Sequence, residues 1–354
     1  MRKCTLSFIT IGFLFIVISA CNKPNYSGNN ERSSNNAIPI TIQYNQYGWA
    51  TPVVKIGISN VDTLDVLLDV GSSGLRILKG AVSNVFYQSS NTRVDFSYGT
   101  PSADFFISGA VAKGYFSLGS MKTDSAISFM VIDSAKYGSG GNYASTGDSI
   151  IIASTTFKNL CGVLGVSLRY SSSYEGIASP LAQLKGSNGQ FIIELPKYGG
   201  TQGSLVINPS QEDLDGFTLF HLSQQGTLLP GNKYYGWVDN QLNGCFIING
   251  QYFWANTWLD SGNPEIKISS PSIVSTSTVP TGDMVTFGIA DEPYGDFRIQ
   301  NTFTVGSIPE NGKDLINLLP AISDSINLPG IMPFFIYDVL YDQQNGIIGL
   351  RQKR

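Results

Sequence analysis

From Ile38 onward, apolar and polar residues alternate in short runs that Gly, Asn, Ser and Pro interrupt. Clear examples are residues 94–99 (VDFSYG) and 203–208 (GSLVIN). Alternation with a period of two is typical of strands, and the interrupting residues are typical of turns. The only helical signal is short, at residues 179–185 (SPLAQLK), where a serine cap precedes a proline in the first turn. The pattern therefore predicts an all-β chain.

The first 20 residues follow a different pattern. Arg2 and Lys3 precede an apolar stretch at residues 8–18, and small residues lead to Cys21. This order is typical of a secretory signal, and the apolar stretch is too short for a stable membrane span. The sequence VISAC that ends at Cys21 resembles the bacterial lipobox, whose cysteine carries the lipid. We predict a lipoprotein signal peptide at residues 1–20 and lipidation of Cys21; an ordinary cleaved signal is the alternative.

Residues 21–37 are expected to form a flexible tether, because the sequence NKPNYSGNNERSSNNA is polar and has no apolar periodicity. A lipid on Cys21 would hold the protein at the bacterial cell envelope. Asn22 and Lys23 contain no acidic cluster. We therefore expect the default location, the periplasmic side of the outer membrane.

Composition excludes several classes of function. The chain has 354 residues, a net charge of -4 and no run of Lys or Arg, so nucleic acid is not an expected partner. His221 is the only histidine, which disfavours histidine-based metal sites and Ser/His/Asp triads. After the signal, Cys161 and Cys245 remain; they can form a disulfide or lie buried as separate thiols, and they do not make a metal site. We expect no metal, nucleotide or flavin cofactor.

The chain also contains an internal repeat. Residues 67–72 (LLDVGS) recur as residues 258–263 (WLDSGN), so that Asp69 and Asp260 are 191 positions apart. An apolar-apolar-Gly sequence follows each copy, at residues 163–165 (VLG) and 347–349 (IIG). A single repeat of this length indicates a duplicated unit and not a solenoid of short periods.

The motifs LLDVGSSGLRI, FSYGT, CGVLGVS, LDSGN and MPFFIYDVLYDQQNGIIGL, in this order, resemble those of the bilobal, pepsin-like aspartic proteases. They are also similar to a less characterised bacterial group of aspartic-protease-like lipoproteins. The resemblance spans about residues 38–350 and implies two pseudo-symmetric, β-barrel-like lobes with a central cleft. We place the lobes at residues 38–215 and 216–354, because polar runs interrupt the strands between residues 208 and 231. In such folds an apolar-apolar-Gly strand supports each aspartate loop.

Asp69 and Asp260 are the predicted catalytic pair. Two carboxyl groups at hydrogen-bond distance share one proton, so that one pKa rises while the other stays low. The pair can then activate a water with one carboxylate and protonate a peptide carbonyl with the other. Gly71 and Gly262 allow the sharp turns that aim backbone N–H groups at the carboxylates. The alternative is two unrelated turns whose aspartates serve as local caps.

The resemblance assigns roles to further residues of the two loops. Ser72 matches a hydroxyl that hydrogen-bonds the outer oxygen of the first aspartate, and Asn263 could use its side-chain amide at the matching place. Ser261 matches a hydroxyl that braces the two loops. Val70 stands where a second bracing hydroxyl is expected, so the brace loses one of its two hydroxyls.

Tyr98 and Gly99 resemble the flap of these enzymes, a hairpin whose tyrosine closes over the substrate. Gly99 would supply the turn geometry. The separation from Asp69 is 29 residues, shorter than usual in pepsin-like enzymes, which implies a trimmed loop. Surface packing of a tyrosine near a hairpin tip is the alternative.

We therefore expect a membrane-anchored, monomeric aspartic-type endopeptidase, a hydrolase that acts on peptide or protein substrates. Two alternatives remain open. A catalytically degenerate relative would keep the cleft to bind peptide or protein, which Val70 and Asn263 favour. An unrelated β-sandwich lipoprotein that binds glycans would leave Asp69 and Asp260 far apart.

Overall fold

The computed structural model describes residues 36–353 apart from 47, 60, 83–87, 99–104, 139–156, 158, 232, 307–315 and 322–324. The predicted signal peptide, Cys21, Gly99 and the tether up to residue 35 lie outside the described residues. None of the helices in these ranges meets the length and hydropathy that a membrane-spanning helix requires.

Strands make up most of the described chain, which confirms the all-β prediction. The strands up to residue 207 are β1 (Ala37–Tyr44), β2 (Ala50–Ile58), β3 (Val61–Asp69), β4 (Ser73–Leu78), β5 (Gln88–Tyr98), β6 (Phe105–Gly114), β7 (Phe116–Leu118), β8 (Met121–Lys122), β9 (Ile127–Tyr137), β10 (Gly162–Val166), β11 (Gln190–Glu194) and β12 (Gln202–Ile207). Those after it are β13 (Thr218–His221), β14 (Gln224–Leu228), β15 (Tyr235–Trp237), β16 (Leu242–Ile248), β17 (Gln251–Leu259), β18 (Ile266–Ser270), β19 (Ser277–Thr278), β20 (Met284–Ala290), β21 (Phe297–Thr304), β22 (Ile316–Pro320), β23 (Ile326–Gly330), β24 (Tyr337–Asp342) and β25 (Ile347–Gln352).

The described helices are short. They are α1 (Gln211–Leu214), α2 (Met332–Ile336) and the 3-10 helices Lys79–Ala81, Ser172–Tyr174 and Pro180–Gln183. The last of these lies where the sequence predicts a helix. Helix α1 was not predicted, although it begins with a capping box in which Ser210 and Asp213 each accept from the other's backbone N–H.

The described strands form three sheets. The largest has the order β13-β25-β24-β11-β12-β1-β2-β3-β10-β4-β9-β6-β5, with β7 on β2 and β8 on β7. The second has the order β19-β22-β18-β23-β17-β16-β20-β21, and β14 pairs with β15 in the third. Because β11 pairs with β24, the largest sheet contains strands from both sides of the predicted change at residues 215–216.

A five-strand arrangement occurs twice in these sheets. In the order β2-β3-β10-β4-β9, β10 is parallel to β3 and antiparallel to β4, and β4 is parallel to β9. In the order β16-β17-β23-β18-β22, β23 is parallel to β17 and antiparallel to β18, and β18 is parallel to β22. Each Asp-x-Gly turn follows the matching strand of its arrangement, β3 or β17. The sequence repeat therefore corresponds to a repeat in topology.

The prediction that residues 347–349 support the second aspartate turn was wrong. Residues 347–349 lie in β25, which pairs with β13 and β24 and not with β17. The counterpart of Gly165 is Gly330 at the end of β23, opposite Leu259. A Cβ added to Gly165 would lie 2.8 Å from the carbonyl oxygen of Ser72, and one added to Gly330 would lie 2.6 Å from that of Asn263. Both glycines let a strand approach the backbone three residues beyond an aspartate.

The turns are anchored in the main hydrophobic core. Its largest cluster includes Leu68 and Val70 of the first turn as well as Leu259 before the second, and all three are nearly inaccessible to solvent. Burial of each such side chain contributes about 1.5–3 kcal/mol to the stability of the fold. Both turns are therefore attached to a well-packed core. Cys161 and Cys245 are both free thiols, so the optional disulfide is not formed.

Candidate active site

The two Asp-x-Gly turns cross, so that each glycine faces the other turn's carboxyl group. The N–H of Gly71 donates to Asp69 Oδ1 at 2.8 Å, and that of Gly262 donates to Asp260 Oδ1 at 2.9 Å. A Cβ on Gly71 would lie 2.6 Å from Asp260 Oδ2, and one on Gly262 would lie 2.7 Å from Asp69 Oδ1. The same Cβ on Gly262 would lie 3.3 Å from Asp260 Oδ1, so oxygens of both carboxyl groups lie close to one point. The structure therefore brings the predicted pair together in a buried site.

Ser261 links the second turn to the first. Its hydroxyl accepts from the N–H of Val70 at 3.1 Å and donates to the carbonyl of Leu68 at 2.8 Å. The side chain of Val70 has no hydroxyl to form the matching pair in the opposite direction. The turns are therefore braced from one side only.

The two carboxyl groups have different side-chain donors. Ser72 Oγ donates to Asp69 Oδ2 in a short hydrogen bond. The side-chain oxygen of Asn263 accepts from the N–H of Glu265 at 3.1 Å, and no hydrogen bond among the described residues joins its side-chain amide N–H to Asp260. At Asp260 the donor to the carboxyl group is the backbone N–H of Gly262, while the N–H of Asn263 donates to the main-chain carbonyl of Asp260 at 3.3 Å. A side-chain donor therefore supports charge on Asp69 only.

Burial raises the pKa of Asp260 well above its usual 3.8, and the charge of Asp69 and the hydrogen bond between the two carboxyl groups add to the rise. The backbone N–H groups of Gly262 and Asn263 lower it by less. A proton shared by the pair is therefore favoured on Asp260.

Tyr98 ends β5 and lies near this pair. Its ring packs edge-on against Phe157 at 5.6 Å between centroids. Burial raises the pKa of Tyr98 to about 12, with the charge of Asp69 adding to the rise and that of Arg76 opposing it. The phenol is therefore neutral and available as a hydrogen-bond donor.

Arg76 is a site residue that the sequence analysis did not single out. It lies on β4 with 1% of its surface exposed, in a strand whose other residues are also buried. Its guanidinium donates to Ser72 Oγ at 3.0 Å and lies 4.0 Å from the centroid of the Phe96 ring. A single charged residue in the buried run SGLRIL, which otherwise has only small or apolar residues, is the signal that could have identified it.

Arg169 is a second missed residue, and it contacts both halves of the site. It donates to the carbonyl of Gly71 at 2.9 Å, and its guanidinium lies 4.1 Å from the ring centroid of Trp258, two residues before Asp260. It also pairs with the buried Asp239 at 2.7 Å. Arg169 therefore fixes the first turn against the strand that leads into the second.

Replacement of Ser261 by alanine is expected to lower the free energy of unfolding by about 1–3 kcal/mol, because Val70 N–H and Leu68 C=O are then left unpaired in the core. Urea denaturation measures the change. Ser272→Ala, at an exposed hydroxyl, is the control and should stay within about 0.5 kcal/mol of the parent protein. An equal, small effect of both substitutions would show that the brace contributes nothing.

Removal of Arg169 is expected to be more costly than removal of the whole ion pair. Arg169→Ala leaves Asp239 buried and unpaired, a change that typically costs about 3–5 kcal/mol. The double variant Arg169→Ala/Asp239→Asn removes the charge as well, so it should be the more stable of the two in urea denaturation. A double variant no more stable than the single one would contradict this account of the pair.

No protein-family model matches the chain, and no curated protein matches it either. Among the described residues, no group of three or more His, Cys, Asp or Glu side chains could hold a metal ion. The described part of the chain is an all-β protein in which two crossed Asp-x-Gly turns bring two carboxyl groups together.

Proposed function

We propose that the protein is an aspartic-type endopeptidase of the bilobal, pepsin-like kind. The observation that carries this proposal is the close approach of Asp69 and Asp260, one from each copy of the repeat, each packed against the glycine of the opposite turn. The repeated strand order around β3 and β17 and the bracing hydroxyl of Ser261 support it further. Fold alone does not define activity, so the pair bears the weight of the proposal.

In the proposed reaction a water binds between the two carboxyl groups. Asp69 takes a proton from the water while the oxygen of the water attacks the peptide carbonyl carbon. Asp260 gives its proton to the carbonyl oxygen. The tetrahedral intermediate then breaks at its C–N bond. The proton on Asp69 passes to the leaving nitrogen, and Asp260 regains one from the intermediate's hydroxyl, which restores the starting state of the pair.

The substrate in this proposal is a peptide or an extended protein segment, held in a cleft beside the pair. Tyr98, on the hairpin of β5 and β6, supplies a neutral phenol near the reacting carboxyl groups. We further propose that the protein is monomeric and that a lipid on Cys21 holds it at the bacterial cell envelope.

A second candidate function is peptide or protein binding without cleavage. Val70 favours it, because a one-sided brace holds the two turns less rigidly, and catalysis is sensitive to small displacements of reacting groups. The bound segment would occupy the same cleft, so binding alone does not distinguish the two functions.

The test is incubation of the full-length protein with a peptide library from pH 3 to pH 8, with mass spectrometry of the products. We expect internal cleavage that a pepstatin-type inhibitor prevents. Cleavage unaffected by the inhibitor and by Asp69→Ala would overturn the assignment of the pair. Peptide binding with no cleavage at any pH would support the second candidate.

A further inference from the structure

Arg76 carries a positive charge into the interior beside the aspartate pair. Its guanidinium donates to Ser72 Oγ, to the carbonyl of Ser73 at 2.7 Å and to that of Gly74 at 3.4 Å. These partners are hydroxyl and carbonyl oxygens, and none of them carries a negative charge. Within the described part of the chain, no carboxylate forms an ion pair with Arg76.

A buried charge without a counter-charge is costly, so a nearby negative charge is expected. Ser72 provides the connection: its hydroxyl accepts from Arg76 and donates to Asp69 Oδ2. A hydroxyl can accept one hydrogen bond and donate another, and Ser72 does both, which links the guanidinium to the carboxylate. A single hydroxyl, that of Ser72, therefore connects the guanidinium to the aspartate pair.

The other charged groups at the pair balance one another. Arg169, which contacts the Gly71 carbonyl, is neutralised by Asp239. Burial keeps Tyr98 and Tyr341 neutral, since it raises the pKa of each. When the pair holds one proton it carries a single negative charge, and Arg76 is the positive charge left to match it.

The strands next to Arg76 carry no competing buried charge among their described residues. Strand β10, which pairs with β4 at Arg76, contains no titratable side chain. On β5 and β9, Arg93 pairs with Asp133 at 2.6 Å in a partly exposed ion pair. Asp95 is exposed and Lys136 is partly exposed, so water screens both.

We propose that Arg76 is a positioning residue that acts through Ser72 as the counter-ion of the aspartate pair and sets the pH range in which the pair holds one proton. The proposal rests on the proposed function only where it concerns the pH dependence of cleavage. An adjacent cation favours the ionised form of a carboxyl group. In the proposed role, Arg76 favours the negatively charged form of the pair and so extends its one-proton range toward acid.

The test is a titration of the full-length protein, in which carboxyl carbon NMR signals of Asp69 and Asp260 are followed from pH 2 to pH 9. The variants are Arg76→Met, which removes the charge, and Arg76→Lys, which keeps it. Arg298→Met is the control, because it removes an exposed positive charge elsewhere. We expect both midpoints of the pair to rise by about 1 pH unit in Arg76→Met. The rise should be smaller in Arg76→Lys and absent in the control.

Unchanged midpoints in Arg76→Met would overturn the proposal. If Arg76→Met is unfolded at neutral pH, the proposal requires it to fold on acidification, when the pair takes up its second proton and needs no counter-ion. A variant unfolded at every pH would assign Arg76 to packing alone and would also overturn it.

The titration separates this proposal from the proposed function. Shifted midpoints in a protein that cleaves no peptide would support the counter-ion and reject the endopeptidase. Cleavage with unchanged midpoints would do the reverse. In an active protein, Arg76→Met should move both limbs of the pH profile of cleavage upward by the same amount as the midpoints.

Discussion

Asp260→Asn is expected to abolish cleavage and, at neutral pH, to increase the free energy of unfolding. The raised pKa of Asp260 means that the folded state holds a proton which the unfolded state releases above about pH 3.8. The stability that this proton contributes is complete below pH 3.8 and is lost as the pH rises toward the raised pKa. Each pH unit in that window costs about 1.4 kcal/mol. Asparagine is neutral at every pH, so the variant avoids this loss.

The measurements are cleavage rates and urea denaturation at pH 7, 5 and 3. Loss of a catalytic acid or base typically lowers the rate on the order of 10²- to 10⁴-fold. The gain in stability should be largest at pH 7 and disappear near pH 3. Asp124→Asn, at an exposed carboxylate paired with Lys185, is the control and should change stability by less than about 1 kcal/mol. An Asp260→Asn variant that is less stable than its parent at pH 7 would contradict the assigned proton position.

Asp69→Asn makes the comparison sharper. It should abolish cleavage equally but give no gain in stability, because donors from Gly71 and Ser72 converge on Asp69. An amide NH₂ placed against these donors loses hydrogen bonds that the carboxylate accepts. Equal stability gains in both variants would mean that the two carboxyl groups are equivalent.

The class of fold and the identity of the pair could be predicted from the sequence because both are encoded locally. Short alternating runs predict strands, and the repeat of the Asp-x-Gly motif at Asp69 and Asp260 is visible in the amino-acid sequence. The supporting strand was mispredicted because the sequence that ends at Gly349 (IIG) matches the pattern of residues 163–165 (VLG), whereas the one that ends at Gly330 contains a proline (LPG). Only the pairing of β23 with β17 identifies the supporting strand.

The arginines of the site could not be predicted for a different reason. Arg169 contacts a carbonyl 98 positions away, and no periodicity encodes such a contact. At Asn263, a local contact differs from what the repeat predicts. Its position matches Ser72, but its side-chain oxygen accepts from the N–H of Glu265, and no described hydrogen bond joins its side-chain amide N–H to Asp260. Asn side chains often bond to backbone N–H groups two residues on, and this local preference overrode the symmetry.

Alanine at Gly71 or Gly262 is expected to inactivate the protein by separating the two carboxyl groups. Neither glycine has a positive φ, so the backbone itself accepts alanine. There is no room for the alanine side chain, however, because each added Cβ would lie within 2.7 Å of a carboxylate oxygen of the opposite turn. Overpacking of this kind costs about 1–3 kcal/mol, and a displacement of about 1 Å can lower a rate on the order of 10²-fold.

Gly80→Ala is the matched control, because no atom lies within 4 Å of its added Cβ and its φ is not positive. It should leave cleavage unchanged and stabilise the fold by up to about 1 kcal/mol, since alanine restricts the unfolded chain. Separation of the carboxyl groups in Gly71→Ala should also lower the pKa of Asp260, because the charge of Asp69 and the shared hydrogen bond both contribute to its rise. Stability would then depend less on pH above 3.8 than in the parent. Full cleavage by Gly71→Ala, with the parent's pH dependence, would show that the crossed turns do not need this close approach.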